Sequence, residues 1–249
     1  MQDQRILNVA SYRFVAVENP SALKERWLPI GRDLGVRGTI LLAAEGINLF
    51  LAGNERSVRG MLRAIEAEDP FSALDLKESW STQVPFRRFK VKVKPEIVTF
   101  RQAGVDPVHD PAPSISPERL RSLLDRGEPL VLLDTRNGVE YQRGSFEGAV
   151  YWGNRNFTEF GRMAPERVPE LADKTVVSFC TGGIRCEKAA PYLRSLGVRR
   201  VFQLEGGILR YFERVGRAHF RGDCFVFDER AALDASLRPA TDPNLSGAT

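Results

Sequence analysis

Three short stretches of this chain are apolar almost end to end: PLVLLDT at 129–135, TVVSFC at 175–180 and VFQL at 201–204. A strand with one wet face alternates apolar and polar residues; a strand covered on both faces reads as an unbroken hydrophobic run. Helical segments separate these runs. Ser116 ahead of Pro117 and Glu118 opens one that runs to Arg126, with Gly127 just past its end. EKAAPYLRSLG lies between the last two runs, and Pro191 inside it is expected to kink that helix unless the helix starts late. Apolar strands alternating with helices predict a doubly wound parallel sheet.

The first hundred residues carry a different pattern. LNVASYRFVAV reads as a strand, and SALKERWLPIGRDLG as a helix between Ser21 and Gly35. GTILLAAEGINLFLAG predicts two strands turning at residues 44–46. SVRGMLRAIEAE follows as a second amphipathic helix, and residues 75–100 supply at least one more strand. The order βαββαβ is that of a ferredoxin-like α+β unit. Residues 102–117 hold four prolines and little periodicity, as a domain boundary does. The expected organisation is a ferredoxin-like domain at 1–101, a linker at 102–116, an α/β domain at 117–217 and a tail at 218–249.

Cys180 ends one of the buried strands and precedes a helix, so it stands at the carboxyl edge of the sheet, where open α/β folds bind ligands. Elsewhere in a strand, a cysteine is usually a small buried hydrophobe. Here Thr181, Gly182, Gly183, Ile184 and Arg185 follow it. Two glycines let backbone amides turn inward as an anion-binding nest, and the coming helix N-terminus and Arg185 add positive charge. All three favour thiolate over thiol. Only four residues separate Cys180 from Arg185, whereas cysteine phosphatases need five to wrap a phosphoryl group. The shorter loop suits a sulfane sulfur carried as a persulfide.

DTRNGVEYQRGSFEGAV, CTGGIRCEKA and QLEGGI, in that order, resemble a rhodanese domain. Together with AAEGIN, FKVKVKPEIVTF, NRNFTEF and GDCFVFDER they resemble, over about residues 5–230, the rhodanese-containing tRNA uridine hydroxylases. The resemblance implies a rhodanese-like doubly wound parallel sheet preceded by a smaller α+β ferredoxin-like domain. It also implies oxygen-dependent formation of 5-hydroxyuridine at the tRNA wobble position, with dioxygen as co-substrate and tRNA as partner. Cys180 matches the family's active cysteine and residues 181–185 its loop. Cys186 matches a second cysteine of the same motif, placed either to resolve or support Cys180 or simply to pack in the helix, and Asp134 and Arg136 match a strand-end pair that holds loop geometry. After Cys224 the chain has no further cysteine, unlike relatives with a Cys-rich extension, so no tail metal site is expected.

FRRFKVKVK, if a strand, directs Arg88, Lys90, Lys92 and Lys94 to one face and Phe89, Val91 and Val93 to the other. Such a stripe is by itself equally a solvated strand face; beside the resemblance it reads as an RNA contact. Charge agrees, since residues 1–104 carry 16 Lys/Arg against 12 Asp/Glu. Tyr151, Trp152 and Phe157 are aromatic groups near the loop, with core packing the better reading for each. His109 and His219 are too isolated for a two-histidine iron site, and Cys180 with Cys186 does not make a zinc knuckle. No dinucleotide fingerprint is present. No metal, no other cofactor and no obligate protein partner are therefore expected. An opening without a signal peptide, no membrane span and only three cysteines fit a cytoplasmic protein. Two alternatives remain: a sulfurtransferase working through a Cys180 persulfide, and a non-catalytic tRNA-binding module. The residues alone leave open whether Cys180 would attack the uracil ring or carry sulfur.

Overall fold

The computed structural model describes residues 5–240. In the N-terminal unit the elements are β1 (Ile6–Phe14), α1 (Pro20–Asp33), β2 (Arg37–Ala43), β3 (Gly46–Gly53), α2 (Glu55–Glu66), β4 (Lys77–Ser81) and β5 (Phe89–Val93). The sheet order β4-β1-β3-β2 is ferredoxin-like. Beyond the expected four strands, β5 adds a fifth, parallel to β2 at the edge. Both helices start earlier than Ser21 and Ser57 predict. Asn19 and Asn54 are the caps, accepting from the amides of Ala22 (3.0 Å) and Ser57 (2.9 Å). In α2, Val58, Met61, Leu62 and Ile65 form the buried stripe, each contributing roughly 1.5–3 kcal/mol by leaving water. One face of the sheet is thus covered by helices; the other carries Asn8, Tyr12, Thr39 and Phe50.

The second unit comprises β6 (Ser114–Ile115), α3 (Pro117–Asp125), β7 (Val131–Asp134), α4 (Gly138–Arg143), β8 (Gly144–Phe146), β9 (Val150–Tyr151) and α5 (Phe157–Arg167). It continues with β10 (Thr175–Phe179), α6 (Cys186–Ser195), β11 (Arg200–Leu204) and α7 (Gly207–Val215). Its five-stranded sheet runs β6-β11-β10-β7-β9, every pair parallel. The apolar runs are buried on both faces: Leu133 and Val176 pack toward α5 and α6, while Leu132 and Val177 pack toward α3 and α7. This is the doubly wound arrangement expected. The helix from Cys186 runs on through Pro191 to Ser195.

Two segments are more ordered than their composition suggests. The proline-rich stretch ends in β6, where Ile115 and the preceding Pro113 accept from the amides of Glu205 and Gln203 at the edge of β11. After residue 217 the chain forms β12 (Phe220–Gly222), β13 (Cys224–Phe225) and β14 (Ala232–Leu233). β12 pairs with β8, and β13 with β14. Cys224 and Leu233 are buried there, so residues 220–233 are part of the folded body. No helix among the described residues is long and apolar enough to cross a membrane.

Candidate active site

Cys180 leaves the end of β10 at the floor of a cleft of about 270 Å³ and is itself fully buried. The amide of Gly183, at φ 100°, donates to its sulfur at 3.1 Å. Behind the loop, the N-terminus of α7 donates back from Ile208 to the Cys180 carbonyl (2.9 Å) and from Leu209 to that of Thr181 (3.0 Å). Gly207 permits this approach: a Cβ there would lie 2.4 Å from the Cys180 carbonyl oxygen. Gly207 of QLEGGI thus lets the start of α7 brace the cysteine loop.

Burial pushes the Cys180 thiol up, but a hydrogen bond from Cys186, the charge of Arg185 and the amides of Arg185 and Gly183 outweigh it. The net pKa is lowered to about 6. For Cys186, burial and the facing Cys180 sulfur push the pKa well above the ordinary thiol value. Cys186 therefore stays protonated and serves Cys180 as a donor. Cys224 is likewise pushed up to about 12 by burial.

Arg185 brings the positive charge expected of it, and is itself paired. Its guanidinium is held bidentately by Glu140, at 2.7 and 2.6 Å, and Thr181 Oγ1 donates to the same carboxylate at 3.2 Å. The Asn137 amide also donates to Glu140, at 3.1 Å. Sequence reasoning missed Glu140; its signal is the Asn137-x-x-Glu140 spacing at the start of α4. Asp134 and Arg136 are both fully buried and paired with each other (2.9 and 2.7 Å), while Ser145 and the Gly144 carbonyl complete the set. This pair fixes the β7 end beside the loop without entering the cleft.

The cleft's opposite wall is the helix-free face of the N-terminal sheet. Tyr12 reaches from β1 onto the loop, donating to Glu187 at 3.1 Å, with its hydroxyl 2.7 Å from where a Gly183 Cβ would stand. Glu45 of AAEGIN and Glu96 of KPEIV both grip the buried Lys188 of α6, at 2.8 and 3.0 Å. Three motifs far apart in sequence thus form one ion-pair cluster that turns the sheet toward Cys180. The roof comes from the segment after β13, where Arg230 pairs with Asp228 and donates to Ser79 at 2.8 Å.

Arg88, Lys90, Lys92 and Lys94 are all exposed along β5, and none forms an ion pair among the described residues. Phe89 and Val91 are buried as expected, but Val93 is 38% exposed because the core ends before it. Arg88 and Lys90 line a trough of about 660 Å³ that adjoins the cleft at Thr39 and Phe86. Tyr151, Trp152 and Phe157 lie elsewhere. Trp152 stacks on Phe160, Phe157 on Phe100, and Tyr151 on Tyr141. The histidines are surface partners of aspartates, His109 of Asp106 and His219 of Asp125.

A rhodanese-like domain matches residues 116–213, and a UPF0176 acylphosphatase-like domain matches residues 6–97. The class is thus a rhodanese-like domain carried behind an acylphosphatase-like one. A tRNA uridine(34) hydroxylase of Variovorax paradoxus is 48% identical over 257 residues, covering 98% of both chains. Enzymes of the same name from Bordetella parapertussis and Thiobacillus denitrificans are also 48% identical, each over 94% of this chain. The chain belongs to the tRNA uridine(34) hydroxylase family.

Proposed function

We propose that this chain hydroxylates uridine 34 of tRNA at C5, with Cys180 as its reactive group. The observation that carries the reading is the juxtaposition of a thiolate, at the cleft floor, with a sheet face whose edge bears a basic stripe that is unpaired among the described residues. Full-length relatives named for that activity support it. A loop uridine must leave its stack to reach Cys180, and the cleft has room for one nucleobase rather than a folded arm.

In this reading the Cys180 thiolate adds to C6 of uracil, which raises the electron density at C5. Oxygen joins C5, the C5 proton is lost, and expulsion of the thiolate restores the ring. With dioxygen as the source, an external two-electron donor such as a dithiol supplies the electron pair that, with two protons, carries the second oxygen atom to water. Thiosulfate turnover is the less favoured reading, because Glu140 already occupies the guanidinium that would receive the sulfur anion. Nucleoside mass spectrometry of tRNA from a deletion strain tests the proposal. Loss of 5-hydroxyuridine, restored by the wild-type chain, supports it; unchanged 5-hydroxyuridine opposes it.

The stripe makes its own prediction. Replacing Lys90, Lys92 and Lys94 by Ala should weaken tRNA binding and lower the slope of log K against log salt by about 2. Filter binding over a salt series measures both, and an unchanged affinity at low salt would remove the stripe from the RNA interface.

A further inference from the structure

We propose that Phe50 and Phe227 form an aromatic platform at the mouth of the Cys180 cleft, on which bases flanking the reacting uridine stack. The inference rests on the reading of the chain as a tRNA hydroxylase and extends it to how the RNA is held.

Five large hydrophobic side chains are notably exposed among the described residues, and only Phe50 and Phe227 are aromatic, at 40% and 63%. Both line the cleft. Single exposed hydrophobics need no explanation, but two aromatic rings on facing walls of one opening do. Phe50 points outward from β3 while its neighbours Leu49 and Leu51 are fully buried. Register places it in one row across the sheet: Lys90, Thr39, Phe50, Ala10, Lys77. With strands about 4.8 Å apart, the Lys90 and Phe50 backbones lie roughly 10 Å from each other. A long lysine side chain brings its ammonium within reach of the phosphate of a nucleotide whose base lies on Phe50.

Phe227 enters from the roof. Phe225 meets it edge to face, with ring centroids 5.0 Å apart. It also lines the trough that holds Arg88 and Lys90, so the trough and the cleft meet at this ring. A single strand running from the basic edge to Cys180 passes both rings. Charge complementarity selects the occupant: the stripe is unpaired among the described residues, whereas the nearby acids Asp228 and Glu229 are engaged by Arg230 and Arg87. Basic grooves with aromatic faces are how proteins hold unpaired nucleotides, and stacking tolerates any base.

The test uses an anticodon stem-loop RNA carrying 2-aminopurine next to uridine 34, with the full chain and Phe50→Ala, Phe227→Ala, Phe50→Leu and Phe50→Trp. Wild type should quench the fluorophore. Each alanine variant should relieve the quench and weaken binding about 5- to 150-fold. Phe50→Trp should bind like wild type and Phe50→Leu like Phe50→Ala, because leucine fills space without a π face. Unchanged affinity and quench in both alanine variants overturns the platform, as does a leucine variant equal to the tryptophan one. If wild type neither binds nor hydroxylates the RNA, the functional reading itself falls. If wild type does both and the alanine variants match it, only the platform falls.

Discussion

Cys180→Ser should lower the rate of 5-hydroxyuridine formation by on the order of 10³-fold or more, with tRNA affinity close to wild type. Serine keeps the shape and can still accept from the Gly183 amide, but its hydroxyl does not ionise near neutral pH. The thiol does, because the Cys186 hydrogen bond, the Arg185 charge and the loop amides bring its pKa to about 6 against the push of burial. The sign of the pH dependence follows. Below pH 6 the protonated thiol dominates and kcat/KM falls; above it the thiolate is present and the rate levels off. Ultraviolet thiolate absorbance, wild type minus Cys180→Ser, should rise with the same midpoint. A midpoint near the ordinary thiol value of 9.0 would contradict the loop's electrostatic role.

Glu140→Ala should cost about 3–5 kcal/mol of stability, because it leaves the Arg185 guanidinium buried without its counter-charge. Thr181 and the Asn137 amide lose the same acceptor, so the floor of the cleft should loosen and activity fall with stability. Glu140→Gln, which keeps the shape but not the charge, should lose less. Removing both partners in Glu140→Ala/Arg185→Ala should recover part of the loss, since no uncompensated charge remains. Urea unfolding midpoints check all three. Burial raises the Glu140 pKa, but Arg185 outweighs this and holds the carboxyl below its usual range. Its contribution is therefore complete above the ordinary carboxylate pKa and is lost only as acid protonates it through the depressed folded value.

Features legible in the sequence were those set by local pattern. Leu132, Leu133, Val176 and Val177 announce strands covered on both faces, and they are so covered. Cys180, two glycines and Arg185 at a strand end announce the loop. What was not legible depends on partners distant in the chain. Glu140 reads as a helix-start residue until Arg185, 45 positions away, is folded against it. Glu45, Glu96 and Lys188 appear as unrelated charges in three motifs, although together they dock the two domains. Phe50 sits in INLFLAG, where Asn48 alone interrupts the apolar residues, so alternation does not reveal that Phe50 is the exposed residue of the strand at the cleft. The strand pairing of residues 220–233 is not legible because β12, β13 and β14 are two or three residues long, too short for periodicity.

The most direct measurement incubates the purified chain with unmodified tRNA in air and a two-electron reductant such as a dithiol, and maps the product by nuclease digestion and mass spectrometry. Wild type should place a hydroxyl on uridine 34 and on no other uridine, and Cys180→Ser should place none. Full 5-hydroxyuridine formation by Cys180→Ser would contradict a reactive Cys180; product at other uridines would contradict recognition of the anticodon by the cleft.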